Sequence, residues 1–325
     1  MNAFLTHGGR LDEACTHFGG DPADWLDLST GINPCPWPGA EAIRPAWRTL
    51  PDVRTLRRLE ETAAACFGAD PALCCAVPGS EAGLRALGCI LGLPARHVPL
   101  TYGTYAKAFA SPPPGHSGPT VLIVTNPNNP DGRLHQRDHL ASALEQQQPG
   151  GGWLVADEAF ADCHPEASMA GLVTNERNLA VTRSFGKFFG LAGVRLGFVL
   201  APEPLLTQLR RLLGDWPVCS AALAFGVEAY ADARWIAATR ARLPERAARL
   251  DAVLERHGLR PTGACPLFRL ATVPDAAGLF ASLANAQILT RPFAHYPRLL
   301  RFGLPADDAQ LARLDAALAL WSAHG

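Results

Sequence analysis

Four compact apolar runs in the middle of the chain constrain its fold more than any other feature: "TVLIVT" (120–125), "WLVAD" (153–157), "LAVTRS" (179–184) and "LGFVLA" (196–201). Each is strand-like in length and most are bounded by turn residues. Segments with amphipathic helical spacing, such as 135–148, lie between them. Apolar strands of this kind must be covered on both faces, so the alternation predicts an α/β sheet with helices on either side. From about residue 203 the pattern turns long and helical, and Pro244 is expected to kink or break it. An α+β segment containing "PLFRLATV" and "ILTRPF" follows, and the helical "DDAQLARLDAALALWSAHG" closes the chain. The expected organisation is an N-terminal arm at 1–39 that packs with the small domain, a large domain at 40–220 and a small C-terminal domain at 221–325.

At 325 residues the chain is long enough for two such lobes. Its formal net charge is −1 and it has no lysine/arginine run, which argues against nucleic acid as the main partner. Apolar stretches are interrupted well short of a membrane span. The first twenty residues show no basic start followed by an apolar run, so a cytoplasmic protein is expected. Nine cysteines are scattered from Cys15 to Cys265 without zinc-site spacing. No metal and no disulfide framework are expected, and Cys74 and Cys75 read as buried strand residues.

The chain holds only two lysines, Lys107 and Lys187, and meets its other needs for positive charge with arginine. Lys107 reads as a helix-surface residue. Lys187 lies in an apolar, glycine-rich stretch, where a primary amine can lose its proton and a guanidinium cannot. Other candidates are individually ambiguous. Asp157 ends an apolar strand, where open α/β sheets bind ligands, but it could equally cap a helix. The loop "PGSEAG" (78–83) could cradle a phosphate on its N–H groups, or Ser80 could be a plain N-cap. "TNPNNPDG" (125–132) follows a strand and has ordinary turn chemistry. Their order strengthens the reading. The Gly-Ser loop, Tyr102, Asn129, Asp157, Lys187 and Arg195 all fall at predicted strand ends. Together they offer a phosphate cradle, an aromatic plate, a carboxylate and an amine. Pyridoxal phosphate needs this set: lysine for the Schiff base and a carboxylate to keep the pyridine nitrogen protonated.

"SFGKFFGLAGVRLG" resembles the Schiff-base lysine segment of fold-type I pyridoxal-phosphate enzymes, and "NPNNPDG" and "DEAF" resemble two further signatures of that family. The resemblance implies a large domain with a mostly parallel, seven-stranded sheet, a smaller α+β domain and a homodimer. It implies Lys187 as the catalytic lysine, Asp157 on the pyridine nitrogen, Asn129 on the ring oxygen and Tyr102 stacked on the ring. Ser184 and Arg195 would hold the cofactor phosphate with Gly79, Ser80 and Glu81 of the loop.

Within that family the arm, with His7-Gly8-Gly9, Asp27-Leu28-Ser29 and Ile32-Asn33-Pro34, resembles the L-threonine-O-3-phosphate decarboxylases of cobalamin biosynthesis. The ending "GACPLFRL" with "ILTRPFAHYPRLLRFGLP" does too. This implies a small phosphorylated amino acid as substrate, met by His7, Asn33, Arg291 and Arg301. Phe160 stands where the related histidinol-phosphate aminotransferases usually have tyrosine. "LPDVRTLRRLE" lacks the tyrosine that would reach a partner's cofactor phosphate, and Arg10 stands where some relatives have asparagine. An aminotransferase of the histidinol-phosphate type is the competing expectation, and a non-catalytic partner in cobalamin assembly a third.

Overall fold

The computed structural model describes residues 2–5 and 7–322. It divides into a larger unit, Pro36–Asn129 with Arg133–Arg240, and a smaller one, Met1–Cys35, Pro130–Gly132 and Ala241–Gly325. The later division therefore falls at 240/241, beyond the 220/221 expected from hydropathy. The reason is the helix Ser220–Ala231, which packs on the helix Val53–Phe67 within the larger unit.

Strand β1 (Leu26–Asp27) lies in the N-terminal arm. The larger unit is built on β2 (Cys74–Val77), β3 (Ala95–Arg96), β4 (Val121–Thr125), β5 (Trp153–Glu158), β6 (Leu179–Ser184) and β7 (Gly197–Leu200). Their order in the sheet is β2-β7-β6-β5-β4-β3. All run parallel except β7, which is antiparallel to both β2 and β6. Every residue of β2, β6 and β7 is buried, as the unbroken apolar runs required.

Among the described residues this sheet has six strands, not the seven that the family resemblance implied. Beside β3 the Ala95 N–H bonds the Ala110 carbonyl at 2.8 Å. The ladder cannot continue from there, because Pro112, Pro113 and Pro114 have no amide hydrogen to offer. At the other edge Glu60 closes β2, its carboxylate accepting the Ala76 N–H at 2.9 Å.

The smaller unit carries β8 (Arg260–Thr262), β9 (Phe268–Thr272), β10 (Ile288–Leu289), β11 (Arg291–Pro292) and β12 (Leu299–Gly303). Four of them form an antiparallel sheet in the order β11-β12-β9-β8, and β1 pairs with β10 in parallel. The arm packs through Phe4 and Phe18, whose rings lie 5.3 and 6.1 Å from that of Phe280 on the helix Ala276–Asn285. Pro244 does not break the helix Ala233–Arg256, which is assigned continuously through it. Leu243, Ala247, Leu250 and Leu254 recur at helical spacing and are all buried, so packing on both sides of the proline outweighs the lost hydrogen bond.

Candidate active site

The carboxyl ends of β4, β5 and β6 bring Thr125, Asp157 and Thr182 into one row, since Thr125 pairs with Asp157 and Asp157 with Thr182 across the ladder. Asp157 is buried. Its Oδ1 accepts from Thr182 Oγ1 at 3.0 Å and from the Ala159 N–H at 3.2 Å. Its Oδ2 lies 2.6 Å from Tyr105 Oη, within hydrogen-bond distance. Burial pushes this carboxyl above its ordinary value, and its contacts with Tyr105 and Thr182 work against that. The helix-cap alternative is excluded, because the next helical turn, Ala161–Cys163, is preceded by Phe160 and not by Asp157.

The neighbouring Glu158 alternates to other partners. It meets Arg183 at 3.1 Å, and Arg183 in turn meets Asp162 at 2.6 Å. All three are fully buried, and burial pushes the Glu158 carboxyl up against the pull of Arg183. This cluster belongs to the core of the unit.

Lys187 rides on the short helix Phe185–Phe188 that follows β6. Its Nζ lies 5.9 Å from the centroid of the Phe160 ring, and its charge is felt at Asp157. Phe185, Gly186 and Phe188 around it are buried, and Gly186 packs so tightly that a Cβ would come within 2.5 Å of Ala192 Cα. The glycines of this stretch thus let the lysine-bearing turn close on the loop after it.

Ser184, Gly197 and Val77 share adjacent ladder positions on β6, β7 and β2. The loop after β2 is thereby drawn onto β7, where a Cβ on Gly197 would stand 2.4 Å from the Ser80 amide nitrogen. Gly79 has φ +89°, open to glycine and strained for other residues, and a Cβ there would fall 2.7 Å from Arg195 Nη2. Arg195 itself sits in the left-handed region at φ 55°. Gly79 rather than Ser80 is the N-cap of the helix Ser80–Leu91, and no side chain caps it. Gly79, Ser80, Ser184 and Arg195 therefore converge around amide groups available to an anion.

Glu81 takes a different part from the one expected. Its carboxylate accepts from Tyr102 Oη at 3.1 Å, from Thr104 at 3.3 Å and from Arg85 at 2.9 Å, so what it can offer a phosphate is its backbone N–H. Tyr102 is half-buried, its ring edge-on to that of Tyr105 at 5.9 Å. Asn129 is half-buried in the loop after β4. Its neighbours Asn126 and Asn128 are buried and tied to backbone groups.

These residues fit pyridoxal phosphate on three counts. A buried carboxyl is fixed at a strand end, a cradle of amides and guanidinium is one that a Cβ on Gly79 would fill, and an amine stands on the turn after β6, its charge felt at that carboxyl. Tyr105, Thr125 and Thr182 were missed from sequence. The only hint was a second tyrosine three residues after Tyr102, among four in the whole chain.

The substrate candidates all lie in the smaller unit. Arg291 and Arg301 face each other across the antiparallel β11–β12 ladder, and both are buried, at 8% and 6% exposure. Arg291 Nη1 donates to the Phe4 carbonyl at 2.5 Å, and Arg301 Nη2 to the Ser29 carbonyl at 2.7 Å. Burial brings both guanidinium groups down to about 10, helped by Arg10 at Arg291 and by Arg291 at Arg301. Ser29 is held by Asp27 at 2.6 Å and accepts the Gly9 N–H at 2.7 Å. Asn33 is buried and accepts the Cys35 N–H at 3.0 Å, while His7 is half-buried.

The larger unit's sheet and the disposition of Lys187, Asp157 and Arg195 define the class of fold-type I pyridoxal-phosphate-dependent transferases. The description "aminotransferase class I and II" matches residues 90–318, and the chain belongs to that family. It is 42% identical to a threonine-phosphate decarboxylase of a Sinorhizobium species, over 98% of this chain and 99% of that one. To a threonine-phosphate decarboxylase of Pseudomonas aeruginosa it is 41% identical, over 97% of each. Among solved structures, the histidinol-phosphate aminotransferase of Clostridium acetobutylicum superimposes with a TM-score of 0.81 at 19% identity, covering 92% of this chain and all (100%) of that one.

Proposed function

We propose that the chain decarboxylates L-threonine O-3-phosphate to (R)-1-amino-2-propanol O-2-phosphate and carbon dioxide, as a step of cobalamin biosynthesis, with pyridoxal 5'-phosphate as cofactor. The near-full-length similarity to two relatives named threonine-phosphate decarboxylase supports the reading. The observation that carries it is the pair Arg291 and Arg301 in register on β11 and β12. Like charges directly opposite on a ladder are destabilising, and burying them raises the cost. A substrate with both a carboxylate and a phosphate offsets that cost at both arginines, through charge-assisted bonds that guanidinium forks favour.

When bound, the cofactor supplies an electron sink. In this reading Lys187 supplies the amine that anchors it, and Asp157 holds its ring nitrogen. Asn129 meets the ring oxygen and Tyr102 covers the ring. Arg195, Ser184, Gly79, Ser80 and the Glu81 N–H hold its phosphate. Arg291 and Arg301, with His7 and Asn33, orient the substrate so that its Cα–carboxylate bond, rather than Cα–H, is the one weakened.

The test is the visible spectrum of the purified protein, followed by O-phospho-L-threonine with carbon dioxide monitored. A cofactor band with stoichiometric carbon dioxide is expected, and Lys187→Ala should abolish turnover. The band without carbon dioxide, together with amino transfer from histidinol phosphate, would replace the decarboxylase with an aminotransferase.

We also take the protein to act as a cytoplasmic homodimer. Trp47, Leu50 and Val53 are 72%, 68% and 71% exposed and give an apolar strip that a second copy would cover. Among the described residues no helix is long and apolar enough to cross a membrane. Light scattering on the purified protein should return twice the chain mass.

A further inference from the structure

A line of oxygens runs through the larger unit from the Asn128 side chain to Asp157. Asn128 Oδ1 lies 3.0 Å from Thr101 Oγ1, which lies 3.0 Å from Thr125 Oγ1. Thr125 Oγ1 lies 2.6 Å from Tyr105 Oη, and Tyr105 Oη 2.6 Å from Asp157 Oδ2. The orientation of the Asn128 amide is fixed, because its nitrogen donates to the Leu100 carbonyl at 2.9 Å. Its oxygen can only accept, so Thr101 must donate to it. Thr101 then has no hydrogen left for Thr125, and Thr125 must donate to Thr101. Thr125 in turn has none for Tyr105, and Tyr105 must donate to Thr125. Each hydroxyl owns a single hydrogen. An ionised Asp157 would thus face Tyr105 with no hydrogen between two oxygens 2.6 Å apart. A proton on Asp157 Oδ2 supplies the missing one, and every contact in the line is then a hydrogen bond.

The other carboxyl oxygen agrees. Oδ1 receives two donors, Thr182 Oγ1 and the Ala159 N–H, as the carbonyl oxygen of a neutral acid would.

We propose that Asp157 is protonated on Oδ2 before cofactor binds, held so by the Tyr105–Thr125–Thr101–Asn128 line, and that this is the proton the cofactor's ring nitrogen then carries. The second half rests on the pyridoxal-phosphate reading above. Where the cofactor's ring nitrogen arrives unprotonated, Asp157 would hand it this proton and would be left as a carboxylate. No proton is taken from or lost to solvent, and Tyr105 is then free to turn its hydrogen to the new anion. Burial of the carboxyl acts in the same direction. The groups facing Asp157 are Tyr105 on the helix Tyr105–Ala108, Thr182 on β6, and Lys187 on the helix Phe185–Phe188, whose charge opposes the stored proton. Tyr102 lies behind Tyr105. Tyr105, Thr125 and Thr101 are positioning residues in this scheme.

The test is infrared spectroscopy of the full chain at neutral pH, with aspartate carboxyl carbons isotopically labelled so that their band separates from glutamate. The unloaded wild type should show an aspartic-acid carbonyl band that disappears when pyridoxal phosphate is added. Thr101→Val should lose the band before loading, because the shortened line is satisfied by an ionised Asp157, and Thr101→Ser should restore it. Thr101 is only half-buried and three contacts from Asp157, so the variant leaves the core intact. Thr125→Val should behave like Thr101→Val. Absence of the band in the unloaded wild type, or its persistence in Thr101→Val, would overturn the inference even in a chain that releases carbon dioxide. A band that is present while no pyridoxal phosphate is taken up would instead sink the functional reading.

Discussion

Arg301 shows how far a single side chain is fitted to something other than stability. Burial and Arg291 bring its guanidinium down to about 10, so between that value and the ordinary guanidinium range the unfolded chain binds the extra proton. A cation depressed in this way costs stability at neutral pH, and the cost is lifted as pH rises through about 10. Arg301→Met should therefore raise the unfolding free energy at neutral pH by about 1 kcal/mol, in the range found when buried charges are replaced by apolar groups. The same variant should lose decarboxylation. Urea denaturation alongside the carbon dioxide assay checks both, and a less stable variant would show that the guanidinium contributes to the fold. Arg183 should behave oppositely. Replaced by methionine it leaves Glu158 and Asp162 buried together, and the expected loss is about 3–5 kcal/mol in the same denaturation experiment. At this scale Lys187, Asp157 and Arg195 were legible in sequence because each sits in a local run with its own spacing. Tyr105 was not, since its partner Asp157 is 52 residues away and only the fold brings them together.

Elements meet closely where β7 touches the loop after β2. A methyl group on Gly197 would press on the Ser80 nitrogen at 2.4 Å and on the Arg183 carbonyl and Gly79 carbon at 2.8 Å, all backbone atoms that cannot swing away. Gly197→Ala should cost about 1–3 kcal/mol, the usual penalty of overpacking, and weaken phosphate binding with it. Gly193→Ala, with nothing within 4 Å of the new methyl, is the control and should change stability by less than about 0.5 kcal/mol. Thermal unfolding of the two variants decides it. Strands β4 to β7 of the large sheet were legible from their apolar runs, but the two-residue β3 and the number of strands were not. The missing seventh strand follows from three prolines beside β3, a local veto on a pairing that the resemblance to a family could not reveal. Pro244 errs the other way, because a buried face on either side of it keeps the helix whole.

Across the whole molecule, cysteines provide a reporter in each unit. Burial pushes Cys75 in the larger unit and Cys265 in the smaller up to about 12. Their thiolate fraction at pH 8 is then about one in ten thousand, against roughly a quarter for an ordinary thiol. The folded state thus holds these protons more tightly than the unfolded chain, and their contribution to stability falls as pH rises from about 8.5 towards about 12. A thiol reagent at pH 8 should label the exposed Cys89 and Cys219 at once, and Cys75 and Cys265 only as their units open. Mass spectrometry of the labelled peptides follows each site, and early labelling of Cys75 would contradict the buried sheet. The arrangement of that sheet also bears on how the protein is made. Strand β2 has β7 as its sheet neighbour, and β7 is also what joins it to β6. While the chain is still emerging from the ribosome, β2 must wait through more than a hundred residues of synthesis for its partner. The phosphate cradle is therefore among the last parts of the larger unit to close, and a nascent chain halted before residue 197 should be unable to retain pyridoxal phosphate.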